Sequence, residues 1–241
     1  MDFSGFSSEK PEEVVLFDYK EFGDVDYVDH LKSFENIYKE RNKKNLIRLN
    51  YSSKKYLDSL TENITINNEL FFKQDIKASY YVIKSKTPFH FSLPGRKFFF
   101  SSSLIKKYIK NEAMLYCVLV YELIRSEKNI YNRTIIIPTK TLNTNRMLSL
   151  LRLNTVDKVE IHKWAYYLLK RVGIETDSYL SWLQIKNRNS LDFTLQLGDI
   201  QTISREEAMF KAFLIETVSQ NTNKYRGSSK KFYTFLNDIK R

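Results

Sequence analysis

The residues best suited to chemistry are scarce in this 241-residue chain: three histidines, one cysteine and six glycines. His30, His90 and His162 stand far apart, so neither the paired-histidine metal site of rolling-circle nickases nor a His-Glu-x-x-His zinc motif is present. Cys117 alone supports neither an intramolecular disulfide framework nor a cysteine-rich zinc site. Gly5, Gly23, Gly95, Gly173, Gly198 and Gly227 lie at least 18 residues apart. Phosphate-cradling loops and nucleophile elbows need clustered glycines, which argues against an ATP-driven motor, a Rossmann oxidoreductase and an α/β-hydrolase. The expectation is a protein that is not an enzyme and has no metal site or cofactor. A scattered carboxylate metal site, as in a nuclease, is the enzymatic alternative.

Charge points toward a polyanionic partner. The formal net charge is +11, with 39 Lys and Arg against 28 Asp and Glu. Residues 1–30 carry nine acids and two lysines, so the remaining chain holds +18. A basic body attracts nucleic acid through long-ranged fields and counterion release. Lysines outnumber arginines 27 to 12, a bias that AT-rich coding would also produce. The acidic segment alternates its charges with Phe3, Phe6, Val14–Phe17, Tyr19 and Phe22, a pattern of interaction segments. It reads as a tail, as a short strand at Val14–Phe17, or as a segment lying on the basic face in competition with nucleic acid. No run approaches ~18 apolar residues, so no membrane partner is expected. The acidic N-terminus is not a secretory signal, and the expected location is cytoplasmic.

These side chains need elements to hold them. From Tyr27 to about Leu60 the periodicity is helical, interrupted by the basic run Lys39–Arg48. Ala78–Lys84 and Phe89–Leu93 read as strands, punctuated by Pro88 and Pro94-Gly95. Phe98–Phe100 should anchor in the core. Ser101–Ser103 offers caps for a helix at Leu104–Lys110. A buried helix follows at Asn111–Ser126, then a short strand at Arg133–Pro138 and a second helix at Thr141–Leu153. A third helix runs from Val156 to Val172 and stops at Gly173. Its apolar stripe is Ile161, Ala165, Leu168 and Val172, which leaves Val159, His162, Lys163, Tyr166 and Lys170 on the opposite face. Tyr179–Ile185 and Leu191–Leu197 read as a hairpin with the basic turn Lys186–Ser190.

Helix, short strand, helix, tight turn, helix and basic-tipped hairpin is the order of a winged helix-turn-helix. The stretch from Phe89 to Leu197 resembles the winged-helix domain of plasmid and phage replication initiators, in element order and apolar pattern. The fold class expected is α+β, mostly helical, with a central winged helix-turn-helix and flanking helical N- and C-terminal segments. Four parts follow: an acidic segment (1–30), a helical and strand part (31–88), the winged helix (89–200) and a helical tail (201–241). The resemblance implies a binder of double-stranded DNA, serving replication of a plasmid or phage or regulating transcription. The third helix would lie in the major groove, with Lys158, His162, Lys163, Tyr166 and Lys170 toward the DNA. Lys186, Asn187, Arg188 and Asn189 would form the wing tip. Asn143, Asn145 and Arg146 would meet phosphate near the start of the second helix. An RNA- or protein-binding scaffold using the same module is the alternative.

In the tail, Ser204 to Glu207 reads as a capping box opening a helix through about Ser219. Phe232, Tyr233, Phe235, Leu236 and Ile239 suggest a short terminal helix. Its apolar stripe would pack on the domain or join two copies as a homodimer.

Overall fold

The computed structural model describes residues 16–18, 24–131, 134–136, 142–198, 200–217 and 227–240. At its centre is a sheet whose strands are rich in buried aromatic and aliphatic residues. Strands β2 (Leu46–Ile47), β3 (Ser79–Ile83), β4 (His90–Leu93) and β5 (Lys97–Ser101) lie in the order β2-β3-β5-β4. The β3–β5 pair is parallel and the other two pairs are antiparallel. Gly95 and Arg96, both at positive φ (79° and 58°), make the tight turn between β4 and β5. Side chains alternate across a sheet, so Phe98 and Phe100 join one apolar cluster and Phe99 the other. That is why three successive phenylalanines are all buried.

Helix α1 (Asp24–Arg41) covers one face, with Tyr38 packing edge-on against Phe91 and Phe99. Helix α2 (Tyr51–Ile66) and the buried helix α3 (Glu112–Lys128) cover the other, through the cluster that holds Leu57, Val82, Phe98 and Leu119. Leu104–Tyr108, expected as an ordinary helix, is a wide π-type turn. Ser101 Oγ accepts from its first amide, Leu104 N, at 3.1 Å. A second, two-stranded sheet joins β1 (Leu16–Asp18) to β6 (Thr134–Ile136). The rest of the acidic segment, up to residue 23, lies outside the described residues.

After β6 come α4 (Thr144–Leu150) and α5 (Thr155–Val172), then α6 (Asp177–Arg188), α7 (Thr194–Leu197), α8 (Ile200–Thr217) and α9 (Lys230–Lys240). Helices α3, α4 and α5 come in the expected order along the chain, each started by an asparagine. Asn111, Asn143 and Asn154 accept from Met114 N, Arg146 N and Asp157 N, each at 2.9 Å. Gly173 closes α5 at φ 78°, where a side chain would be strained. The molecule is therefore α+β and mostly helical.

The expected hairpin is absent. Tyr179–Ile185 and the turn residues up to Arg188 form α6, while Leu191–Leu197 coils into a turn and the short α7. Spacing decides the matter: Tyr179, Trp182, Leu183 and Lys186 are buried and share one helical face. Of the alternating leucines, Leu191 is 79% exposed, whereas Phe193 and Leu197, four residues apart, are buried. Ser204 and Glu207 do not open a helix; they sit inside α8, which begins at Ile200. The apolar face of α9 is spent within the chain: Phe232, Phe235 and Ile239 are buried in the cluster shared with α2. Asp238 Oδ2 accepts from Ser53 Oγ at 2.7 Å and from Asn50 N at 3.1 Å. That face is not left over for a second copy.

Candidate functional site

The solvent stripe of α5 is not the one the helical wheel predicts. A wheel with one apolar stripe supposes one neighbour, but α5 packs against α2, α3 and α8. Val159, His162 and Tyr166, expected outward, are therefore buried. Tyr166 meets Phe213 edge-on at 5.5 Å. Lys158 and Lys186, expected on the DNA-facing helix and the wing tip, are also buried, at 5% and 6% exposure. What faces outward is Glu160, Trp164, Tyr167, Lys170 and Arg171, with Lys163 at the margin. Lys163 pairs with Glu160 at 3.2 Å, and Arg171 Nε donates to Asn67 O. Trp164 and Tyr167 are 49% and 42% exposed, beside Phe71 of the segment after α2. Sequence reasoning missed this aromatic pair, although its spacing from Lys163 and Lys170 places all four on one side.

The remaining expected residues scatter. Asn143 spends its carbonyl oxygen on the α4 cap, Asn145 is exposed and Arg146 half-buried. Asn187 donates to Glu207 Oε2 at 2.6 Å and accepts from Ser204 Oγ at 3.2 Å. Arg188 and Asn189 are exposed at the end of α6.

The buried lysines belong to an ionic network centred on Glu206 of α8. Its carboxylate takes Lys158 Nζ at 2.8 Å, His162 Nε2 at 3.4 Å and Lys186 Nζ at 3.6 Å. His162 Nδ1 lies 2.9 Å from Tyr179 Oη, so a neutral ring is satisfied at both nitrogens: it donates to Glu206 and accepts from Tyr179. Burial pushes His162 down to about 4. Burial alone would raise the Glu206 carboxyl, but Lys186, His162 and Lys158 outweigh it and hold it well below the usual range. Burial also lowers Lys186.

A second network lies between β4 and α3. Glu122, fully buried, accepts from Ser92 Oγ at 2.7 Å and Arg125 Nη1 at 3.3 Å, and its Oε1 lies 2.6 Å from His90 Nδ1. Arg125 Nη2 donates to Leu151 O at 2.7 Å. The alternation of polar His90 and Ser92 with Phe89, Phe91 and Leu93 is thus a polar inner face. Burial lowers His90, and Glu122 stays below its ordinary value because Arg125 and His90 outweigh its own burial. A cleft of about 30 Å³ separates the two networks, with His90, Arg125, Arg152, Lys158, Lys186 and Glu206 among its walls.

A further basic surface surrounds the short β2–β3 pairing, where Lys84 N donates to Asn45 O. Arg41, Lys43, Lys44, Arg48, Lys84 and Lys86 are all exposed there. Among the described residues, no group of three His, Cys, Asp or Glu is placed to hold a metal ion, and no helix is long and apolar enough to cross a membrane. The chain matches no protein-family model and no curated protein sequence.

Proposed function

We propose that the protein binds duplex DNA, with the exposed stripe of α5 as its contact surface. The observation that carries this reading is the stripe itself. Lys163, Lys170 and Arg171 are interleaved with Trp164 and Tyr167 on a helix that follows a tight turn. Cations supply phosphate contacts, and aromatic faces supply contact with bases or sugars. The basic surface around β2 and β3 adds long-range attraction. Selective reading of a site by α5 would suit starting replication or controlling transcription.

Fluorescence anisotropy on random and enriched duplexes across a salt series tests the reading. Lys163→Ala/Lys170→Ala/Arg171→Ala should lower the slope of log K against log salt by about one unit for each phosphate no longer neutralised. An unchanged slope would overturn it. The two exposed aromatics favour one second reading, binding of single-stranded nucleic acid by stacking. In that case Trp164→Ala and Tyr167→Ala would each cost roughly 1–3 kcal/mol on single strands and little on duplex.

A further inference from the structure

We propose that the cleft between the two buried networks is a binding site for a small phosphate group. The site is distinct from the α5 stripe and does not depend on DNA binding.

The first ground is charge. Arg125, Arg152, Lys158 and Lys186 line the cleft, and the carboxylates in the two networks are Glu122 and Glu206. Among the described residues, the three cations more than nine-tenths buried there, Arg125, Lys158 and Lys186, face two carboxylates, which leaves one buried positive charge, and half-buried Arg152 adds another at the edge. Charge withdrawn from water without a counter-charge is costly. Waters would satisfy hydrogen bonds there but leave that imbalance, whereas an anion corrects it.

The second ground is unspent hydrogen-bonding capacity. Arg125 uses Nη1 on Glu122 and Nη2 on Leu151 O, and its buried Nε has no partner. Arg152 uses Nη2 on Leu195 O, and its buried Nε has none either. Among the residues that line the cleft, His90 Nε2 is the third such atom. Because His90 Nδ1 donates to the Glu122 carboxylate, a neutral ring presents Nε2 as a bare acceptor. The residues that line the cleft thus carry two unspent N–H donors and one unspent acceptor. Hydrogen phosphate and phosphate monoesters in their singly protonated form match that set, offering oxygens to the arginines and a P–OH to His90. Sulfate and chloride have no proton to give. A cleft of about 30 Å³ has room for about two waters, which limits any ligand there to a compact group.

The backbone is shaped for this. Gly198 has φ +84°, and a Cβ there would come within 2.6 Å of the Arg152 guanidinium carbon. Glycine lets that guanidinium lie flat on the chain, where it reaches the cleft.

The test is titration of the 241-residue chain with inorganic phosphate at constant ionic strength, read by calorimetry and thermal unfolding, with sulfate and AMP in parallel. Saturable binding of one phosphate per chain is expected, with sulfate at least tenfold weaker. Arg152→Gln and Gly198→Ala should each weaken phosphate at least tenfold with the far-UV spectrum unchanged. Should Gly198→Ala unfold, Arg152→Gln decides. AMP binding would show that the phosphate arrives on an organic monoester; phosphate binding without AMP binding would show the free ion as the ligand. The proposal is overturned if the wild type binds no phosphate, or if phosphate and sulfate stabilise wild type and Arg152→Gln alike. It is also overturned if Lys163→Ala/Lys170→Ala/Arg171→Ala abolishes the binding, because the phosphate would then sit on α5's outer stripe.

Discussion

Glu206 is the residue on which the two buried lysines depend. Its carboxylate faces Lys158, Lys186 and His162 from two other helices. Glu206→Gln would leave two buried ammonium groups without their counter-charge, a change that typically costs about 3–5 kcal/mol. Thermal unfolding should show Tm lower by roughly 10 °C; a shift of a degree or two would show that the lysines escape to water. The His162 ring adds a pH dependence whose sign follows from its lowered pKa of about 4. Below the unfolded-state value of about 6.5 the unfolded chain takes up the proton first, so stability falls as pH drops from there toward 4. At pH 5 the loss from this ring is roughly 2 kcal/mol, and His90 acts in the same direction. Tm measured at pH 7 and pH 5 should differ by several degrees, and His162→Gln should shrink that difference. None of this was legible in the sequence. Lysines are nearly always exposed, so Lys158 and Lys186 read as surface charge, and Glu206 gives no local sign that it is their partner.

Among the elements, those with one dominant period were legible. Helices α3 and α5, the glycine end of α5, and strands β3 and β4 lie within a residue or two of their expected bounds. The segment from Tyr179 to Leu197 was not, because its aromatic and branched residues favour strands and its leucines alternate. A β reading makes Leu183 and Leu191 equivalent core positions, whereas α6 buries Leu183 fully and leaves Leu191 in solvent. Leu183→Ala should therefore cost about 2–5 kcal/mol, and Leu191→Ala about 0.5 kcal/mol or less. Chemical denaturation of the two variants checks this, and equal losses would contradict the helix. The outward stripe of α5 was half legible: periodicity identifies Lys163 and Lys170, but a wheel with one buried stripe hides Trp164 and Tyr167. Only the positions of α2, α3 and α8 decide which side of that helix is left.

Over the whole molecule, one apolar cluster runs from Leu49 through α3 and α5 to Ile239. The C-terminal helix is part of that core. Tyr56 lies against Phe235 while its hydroxyl donates to Glu112, and Glu112 also accepts from Ser229 N and Oγ. Deleting residues 230–241 would uncover the α2 face and should yield an unstable chain that binds hydrophobic dyes. A well-folded truncated chain, with unchanged Tm by calorimetry, would contradict that. The overall class was legible from composition and period, but the assignment of α9 to this core was not. An apolar stripe on a short helix states that something covers it, and only the tertiary arrangement states what.

The helix starts carry a consequence for how the protein comes apart in acid. Helices α2 to α5 begin on Asn50, Asn111, Asn143 and Asn154, amides that do not titrate, whereas the interior is held together by carboxylates and neutral imidazoles that do. Acid thus dissolves the centre before it touches the helix ends. Near pH 3 the chain should keep much of its far-UV circular dichroism while its near-UV aromatic signal disappears, the behaviour of a compact state that has lost its packing but not its helices. Simultaneous loss of both signals would mean that the helices depend on the ionic interior as much as the tertiary packing does.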